Sequence, residues 1–421
     1  MRISTQQIFN IANTSMADAN QAMIKTQEQL STGKRVLEPS DDPVASTKIL
    51  ALNEELAGTK QYQTNISIAK NDLTGEEAVL DGVLNIIQRI QELAVRAGNS
   101  ATLSDSEYRS LANEVDARVE ELQSLMNSKN SNGDFIFGGY KSTTEPFIGS
   151  VQTGFKYVGD EGQKFIKVAN NTAVASGDSG KDLFVDIQSN RPEVSTSVSA
   201  SNRSDPAAQI SIGTVVDRQV FNDFYPEDLV VSFNDDSALL PAPPGKNFTI
   251  TERSTGRVVL ANEPYVSGAE INAAGLSFRI IGDPASENLP QAGDKFIVES
   301  TNKQDLLTTV ARFSEAMKNF DGEAGNRDVL EDTIGDTLAN LSNAQTSVLE
   351  VSSKIGARLN TLESTESIHS DATLIIQELI SQLRDVDYAE ASTRLAAESL
   401  ILQAAQTAFT RVSRLSLFER L

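Results

Sequence analysis

The sequence predicts an α+β protein: long N- and C-terminal helices pairing as a coiled coil or helical bundle, with an inserted, mostly antiparallel β-domain. Three observations predict it: the positions of the prolines, the spacing of apolar residues at both ends, and the β-type composition of the middle. Ten of the twelve prolines lie between Pro146 and Pro290. Because proline breaks helices and interrupts central strands, long helices are expected only outside that region.

The N-terminal arm opens with an apolar seam whose members recur at alternate spacings of three and four, as in a coiled coil. The seam consists of Phe9, Ala12, Met16, Ala19, Met23, Thr26 and Leu30, and only Thr26 is polar. Gly33 predicts the end of this helix. After a loop over 34–41, Asp42 and Pro43 are expected to be the N-cap and first residue of the next helix.

The rest of the N-terminal arm predicts two more apolar faces. One helix carries two adjacent stripes, a wide face that suits contact with more than one neighbour. The stripes are Val79, Val83, Ile86, Ile90, Leu93 and Ala97, and Leu80, Leu84, Ile87 and Ala94. Ser104 and Glu107 then form a capping box that opens a further helix. Its apolar residues are Leu111, Val115, Val119, Leu122 and Met126.

The C-terminal arm holds one unbroken heptad register from Ile334 to Leu383. Ten of its fifteen seam positions are apolar, which strongly favours a long helix in a coiled coil. The positions are Ile334, Leu338, Leu341, Gln345, Val348, Ser352, Ile355, Leu359, Leu362, Glu366, His369, Thr373, Ile376, Ile380 and Leu383. The segment Ser399–Phe409 is apolar or small nearly all round, so it is expected to need burial on every side.

The middle contains short β-type runs separated by turn clusters such as 159–162 and 254–256. The runs are 155–158, 165–168, 183–187, 229–233, 248–250, 258–260, 276–281 and 296–298. They predict one β-domain or two small ones. The expected division is a terminal coiled-coil domain from 1–42 with 384–421, a helical rod from 43–139 with 301–383, and an outward-facing β-domain over 140–300.

Composition limits the classes of partner. The formal net charge of −22 argues against binding to nucleic acid and to anionic membrane surfaces. No apolar stretch reaches the roughly 18 residues of a membrane span, and no apolar core of a cleaved signal peptide is visible. The chain has no cysteine, which excludes disulfides, thiolate metal sites and cysteine nucleophiles.

The search for catalytic or metal-binding groups is negative, so we expect no enzyme activity, no cofactor and no metal. The single histidine, His369, rules out a two-histidine zinc site and is expected to be a partly buried seam residue. Asp41 and Asp42 resemble a carboxylate pair, but helix capping before Pro43 accounts for them. Carboxylates are abundant in the β-region, yet nothing singles out a glycosidase pair there.

Three segments resemble the bacterial flagellin family, over about the first 140 and last 120 residues. The first combines Leu30–Val36 with Ser40–Ala45, similar to the flagellin LSSGxRIxxAxDDxAG stretch. The second is Leu84–Asn99, similar to LxRxxELxVQAxN. The third joins Asp385–Glu390 to Leu402–Ala405, similar to the DADYAxE and LQQA motifs. Their order at both ends makes the resemblance specific.

The flagellin family includes a branch of proteins that join the flagellar hook to the filament, called the junction branch below. The chain resembles this branch more than it resembles filament flagellins. Phe135–Gly139 (FIFGG) is typical of that branch, as is Pro43 where filament flagellins usually have alanine. The ending Ser416–Leu421 (SLFERL) is similar to the branch's SLFxxL close. The β-region carries no resemblance of its own.

The resemblance implies a structural role in the flagellum. Such proteins are exported unfolded through the flagellar type III apparatus without a cleaved signal, so an extracellular location is expected. Their terminal helices form an inner tube, and their β-domains face outward. The implied partners are further copies in a ring, the hook-side junction protein, flagellin, and a cytoplasmic export chaperone at the C-terminal helix.

The assembly interface is expected at large apolar residues of the two ends. These are Phe9, Met16, Met23, Leu30, Leu402, Phe409, Val412, Leu415, Leu417 and Phe418. Two other functions compete with a junction subunit. One is the filament flagellin itself. The other is a surface adhesin or glycan-binding protein acting through the β-domain.

Overall fold

The computed structural model describes residues 5–99, 103–204, 208–238, 245–282, 289–322 and 324–418, with the backbone alone at 5, 6, 8, 9, 324, 325 and 412–418. Within these ranges the helices are α1 (Thr5–Thr32), α2 (Pro43–Gly98), α3 (Asp105–Met126), α4 (Arg218–Phe224), α5 (Leu306–Lys318), α6 (Ala324–Arg384) and α7 (Tyr388–Phe418). The long helices lie at the two ends of the chain, as predicted.

The strands all lie between α3 and α5. They are β1 (Phe147–Ser150), β2 (Gly154–Tyr157), β3 (Phe165–Ala169), β4 (Thr172–Ala175), β5 (Ile187–Val198), β6 (Gln209–Ile210), β7 (Thr214–Val215), β8 (Leu229–Phe233), β9 (Asn247–Glu252), β10 (Val258–Pro264), β11 (Glu270–Ala273), β12 (Leu276–Ile281) and β13 (Lys295–Gln304). The described pairings are antiparallel.

The predicted helix boundaries are confirmed by local hydrogen bonds. Gly33 follows α1 with φ +71°, a left-handed conformation that glycine adopts without strain. The backbone N–H of Ala45 donates to Asp42 Oδ1 at 2.9 Å, so Asp42 caps α2. At the start of α3, Glu107 Oε2 accepts from the Ser104 backbone N–H at 2.8 Å.

The heptad register of α6 is also confirmed. Every one of the fifteen predicted seam positions is buried or half-buried in the folded chain, including the five polar ones. Leu341, Val348, Ile355 and Leu362 are fully buried. The register is therefore set by burial along one face of a single 61-residue helix.

The chain forms two compact units. The first comprises the described residues of Met1–Ile66, Val168–Asn170 and Glu363–Leu421, and the second those of Ser67–Lys167 and Asn171–Leu362. In the first unit, α1 packs against α7. In the second unit, α3 packs against α5, and the Tyr108 and Phe320 rings meet at 4.7 Å between centroids. The expected division into three domains (1–42 with 384–421, 43–139 with 301–383, and 140–300) remains a prediction.

Two sheets in the second unit form one sandwich. One sheet has the strand order β10-β9-β8-β13-β5, and the other has β11-β12-β6 with β7 also paired to β12. A single apolar cluster fills the space between them and draws buried residues from both, such as Phe233, Phe278 and Phe296. The alternative of two small β-domains is therefore not what forms. Two separate hairpins, β1–β2 and β3–β4, precede the sandwich.

One predicted strand is wrong. Residues 183–187 were expected to be extended, but Lys181–Val185 forms a short π-helical segment, and only Ile187 begins a strand. Leu183 and Phe184 are both buried, whereas neighbouring residues of a strand point to opposite faces. The Phe184 ring packs against Phe137 and Phe147, at 5.1 and 5.9 Å between centroids. Packing of two adjacent apolar side chains thus overrides the β propensity of the segment.

Candidate assembly interface

The two ends of the chain meet at a backbone joint between α1 and α7. Val386 N donates to Gly33 O at 3.0 Å, and Arg35 N donates to Arg384 O at 2.6 Å, around a bridge between Lys34 and Asp385. A Cβ on Gly33 would lie 3.0 Å from the Tyr388 hydroxyl oxygen. Glycine is favoured here by its left-handed φ, and a Cβ would in addition press on the Tyr388 hydroxyl.

Polar side chains extend the joint along the two helices. Gln29 is nearly fully buried; its Nε2 donates to Arg35 O at 2.6 Å, and its Oε1 accepts from Arg394 Nη2 at 2.8 Å. Arg35 Nη2 in turn donates to Leu383 O at 2.7 Å. Because the end of α1 contacts the start of α7, the two helices run antiparallel.

The two aspartates before α2 have different structural roles. Asp42 is the expected N-cap, and the Ala45 backbone N–H, together with Arg35, lowers its pKa. Asp41 does not cap the helix; this part of the capping prediction is wrong. Its carboxylate accepts from Leu37 N and Lys25 Nζ at 3.0 and 2.5 Å and so fastens the loop to α1. The bond from Lys25 is the largest cause that lowers the pKa of Asp41 to about 2.

The structure describes half of the predicted interface residues. Met16, Met23, Leu30, Leu402 and Phe409 are each half-buried in the chain. The side chains of Phe9, Val412, Leu415, Leu417 and Phe418 lie outside the described residues. The seam positions therefore already contribute to packing within the chain, and they are not its most exposed apolar groups.

Other apolar side chains of the first unit are far more exposed. On α7, Leu400 and Ile401 are 67% and 57% exposed, and on α1, Ile11 and Ile24 are 57% and 53% exposed. On α6, exposed Ile368, Ile375 and Leu379 recur at i, i+7 and i+11, which places them on one helix face. The apolar character of 399–409 signalled Leu400 and Ile401, whereas Ile11 and Ile24 lie off the predicted seam and were missed.

The FIFGG segment forms a turn that needs its glycines. Phe137 is fully buried, and Gly139 has φ +67°. Tyr140 N then donates to Asp160 Oδ1 at 2.8 Å, which ties the segment to the 159–162 turn. A Cβ on Gly138 would lie 2.9 Å from Lys141 O. The motif thus stabilises a local turn and packs Phe137 into the interior.

The single histidine holds a hairpin tip in the first unit. His369 Nε2 donates to Val168 O at 2.7 Å, and its ring stacks on Tyr62 with centroids 5.5 Å apart. The Tyr62 hydroxyl donates to Asn170 Oδ1 at 3.2 Å. Both ring contacts are structural, as expected for a partly buried seam residue.

The second unit contains a cavity of about 730 Å³ beside β2, β5 and α5. The buried charged group at its wall, Arg312, is engaged by the fold: Nη1 pairs with Glu193 Oε2 at 2.7 Å, and Nε donates to Gly213 O at 2.7 Å. Within the described ranges, no three His, Cys, Asp or Glu side chains are placed to hold a metal ion. In the same part of the chain, no helix has the length and apolar character to cross a membrane.

Comparison with known proteins identifies both helical arms. Residues 3–142 match the N-terminal helical region of bacterial flagellin, and residues 338–419 match its C-terminal helical region. Together the two matches cover more than half of the chain. They contain the joint between α1 and α7 and leave the β-sandwich unmatched.

Curated relatives carry a narrower name, and one of them matches along the whole chain. The chain is 27% identical over 419 residues to flagellar hook-associated protein 3 of Escherichia coli K12, covering 100% of this chain and 99% of that protein. It is 37% identical over 203 residues to flagellar hook-associated protein 3 of Salmonella typhimurium, which is 48% of this chain and 63% of that relative.

A solved structure supports the same fold. The crystal structure of flagellar hook-associated protein 3 from Legionella pneumophila is 26% identical, matches with a TM-score of 0.52, and covers 80% of this chain and 98% of that one. The chain therefore belongs to the bacterial flagellin family and is a structural protein of the flagellum, not an enzyme.

Proposed function

We propose that this chain forms the junction between the flagellar hook and filament and templates the assembly of flagellin. The observation that carries the proposal is the similarity to a hook-associated protein along the whole chain, including the β-region. The family-model matches alone do not separate a junction subunit from a filament flagellin, because they cover only the helical arms.

The proposed partners are further copies of the chain in a ring, the hook-side junction protein, and flagellin. The joint between α1 and α7 fixes the two terminal helices as one antiparallel pair. That pair offers Ile11, Ile24, Leu400 and Ile401 to solvent. Burial of such side chains supplies roughly 25 cal/mol per Å² of apolar area. A neighbouring subunit would cover them.

The proposal includes the interface expected from the sequence, and we extend it to the exposed groups above. The expected residues are Phe9, Met16, Met23, Leu30, Leu402, Phe409, Val412, Leu415, Leu417 and Phe418. Export without a cleaved signal and binding of an export chaperone to α7 are part of the same proposal. The exposed apolar residues of α7, Leu400 and Ile401, support binding of a chaperone, because a copy that is not yet assembled exposes them in the cell.

Charge supports an axial position for the two ends. Residues 1–35 and 388–421 sum to a formal charge of +3, so the sequence between them (36–387) carries −25. Like charges repel when many copies are packed near an axis, and near-neutral ends reduce that repulsion. The acidic middle of the sequence would then lie toward solvent.

A filament flagellin is the second candidate, and the matches to both flagellin regions favour it. Deletion of the gene and complementation separate the two. If the chain is a junction subunit, the deletion strain secretes flagellin into the medium and grows no filaments, and the wild-type gene restores them. If the chain is the filament protein, the medium contains no other flagellin to detect.

A further inference from the structure

A buried carboxyl group lies in the second unit, away from the terminal joint. Glu76 is in the middle of α2, in register with Leu73, Leu80 and Val83, and its exposed fraction is 0%. Its Oε1 accepts from Asp178 N at 3.2 Å. Its Oε2 is buried and has no hydrogen-bond partner among the described residues.

The charges that face Glu76 come from three elements. Arg358 on α6 donates two bonds to the Asp178 carboxylate, at 2.7 and 3.0 Å, in the loop after β4. Gln163 Nε2 donates to the same carboxylate at 2.8 Å. On α2 itself, Asp72 precedes Glu76 by one turn. The Arg358 guanidinium is thus already matched by Asp178. An ionised Glu76 would add a buried negative charge that no further cation among the described residues neutralises.

The surroundings of Asp72 do not supply a second cation to Glu76. Asp72 Oδ1 accepts from Asn130 Nδ2 at 3.3 Å. Lys164 pairs with Asp134 at 3.4 Å. Burial, followed by the charge of Asp178, raises the pKa of Glu76 to about 8. Burial also raises the pKa of Asp72.

We propose that Glu76 is a proton-dependent latch between α2 and the loop at 176–180. With its proton bound, the neutral carboxyl holds the backbone of Asp178 and lets the Asp178–Arg358 pair stay closed. When the proton leaves to water, the second buried negative charge is relieved by release of the loop from α2. The same loop carries Gly180, whose N–H donates to Phe137 O at 3.1 Å, so its release would also loosen the FIFGG turn.

Hydrogen exchange in the full chain tests the latch. The opened loop exposes a carboxyl with its ordinary pKa of 4.5, whereas the closed one keeps its proton up to about pH 8. Opening therefore releases one proton, and the opening constant should rise about tenfold per pH unit between about pH 6 and about pH 8. After correction for intrinsic exchange, amides at 176–180 should follow this slope in the wild type and show none in Glu76→Gln.

Asp72→Asn is the matched control, since it removes a neighbouring carboxyl on the same face of α2. It should retain the pH slope of the wild type. Equal slopes in the wild type and Glu76→Gln would overturn the proposal. So would a loop that is open in Glu76→Gln at every pH, because that result means an ionised Glu76 is held by Arg358.

A second measurement follows the titration of the carboxyl itself. In protein with labelled glutamate side-chain carboxyls, one carboxyl should titrate near about pH 8, and its signal should be absent from Glu76→Gln where that variant folds. Titration of every glutamate below about pH 6 would overturn the proposal.

Discussion

Arg394 on α7 donates a 2.8 Å hydrogen bond to the side chain of Gln29 on α1, 365 positions away in the sequence. Gln29 is nearly fully buried and passes the contact to the loop by donating to Arg35 O. This pair of residues links α1 to α7 and so helps to set which faces of the two helices stay exposed.

Gln29→Ala should weaken the pairing of α1 with α7. It removes two hydrogen bonds and leaves the Arg35 carbonyl and the Arg394 guanidinium without that partner, at a cost of about 1–3 kcal/mol. Faster hydrogen exchange at 26–36 and 386–396 checks this expectation. Gln27→Ala, an exposed glutamine of the same helix, should change nothing. Equal protection in both variants would contradict the joint described above.

Gly33→Ala should destabilise the joint, and Gly58→Ala should not. Gly33 has φ +71° and lies against the Tyr388 hydroxyl, so alanine is strained there by about 1 kcal/mol or more. Gly58 lies within α2 with nothing within 4 Å of a Cβ, so alanine should stabilise that helix by about 1 kcal/mol. Thermal unfolding and limited proteolysis at 33–42 measure the opposite signs.

Asp41→Asn should remove an acid-sensitive part of the joint. Because the pKa of Asp41 is lowered to about 2, its ionised form stabilises the fold above its ordinary value of 3.8. That contribution is lost as the pH falls from 3.8 through about 2. The wild type should lose protection of the 34–41 loop in that window, while Asp41→Asn should already lack it near neutral pH. Lys25→Met should behave like Asp41→Asn; full protection in Lys25→Met would contradict the role of the pair.

Phe184→Ala should unfold the region around the FIFGG segment. Phe184 is fully buried between Phe137 and Phe147, and loss of such a ring costs about 3–5 kcal/mol. Phe165→Ala is the matched control, since that ring is 62% exposed and should cost no more than about 0.5 kcal/mol. Chemical denaturation gives both values, and similar losses would refute the packing argument for the π-helical segment.

Leu400→Asp and Ile401→Asp should each prevent assembly without destabilising the folded chain. Both side chains are exposed, so the unfolding midpoint should change by no more than the equivalent of about 0.5 kcal/mol. A charge buried between subunits is unfavourable, so cells with either change should secrete flagellin and lack filaments. Val266→Asp, at a 66% exposed apolar position outside α1 and α7, should leave filaments intact. Normal filaments from Leu400→Asp would remove this face from the interface.

The helices could be predicted from the sequence because their signals are local. The seam of α6 repeats every seven residues, and Asp42, Ser104 and Gly33 are boundary residues with their own backbone chemistry. The contact of Gln29 with Arg394 could not be predicted, since it joins two polar residues of distant segments. The π-helical turn at Phe184 was missed for a related reason: tertiary packing decided it.

Glu76 is an intermediate case. It occupies a position in the apolar stripe with Leu73 and Leu80, and a glutamate there is a local signal of a buried carboxyl group. The partner Asp178 lies in a loop whose placement only the fold provides. The exposed faces of α1 and α7 likewise depend on how the two helices pair, which is why Ile11 and Ile24 were not among the predicted interface residues.

Immunogold labelling of isolated flagella with an antibody against the β-sandwich tests the central claim most directly. A junction subunit predicts a single band of label at the hook end of each filament. Label along the whole filament would contradict the junction role and identify the chain as the filament flagellin.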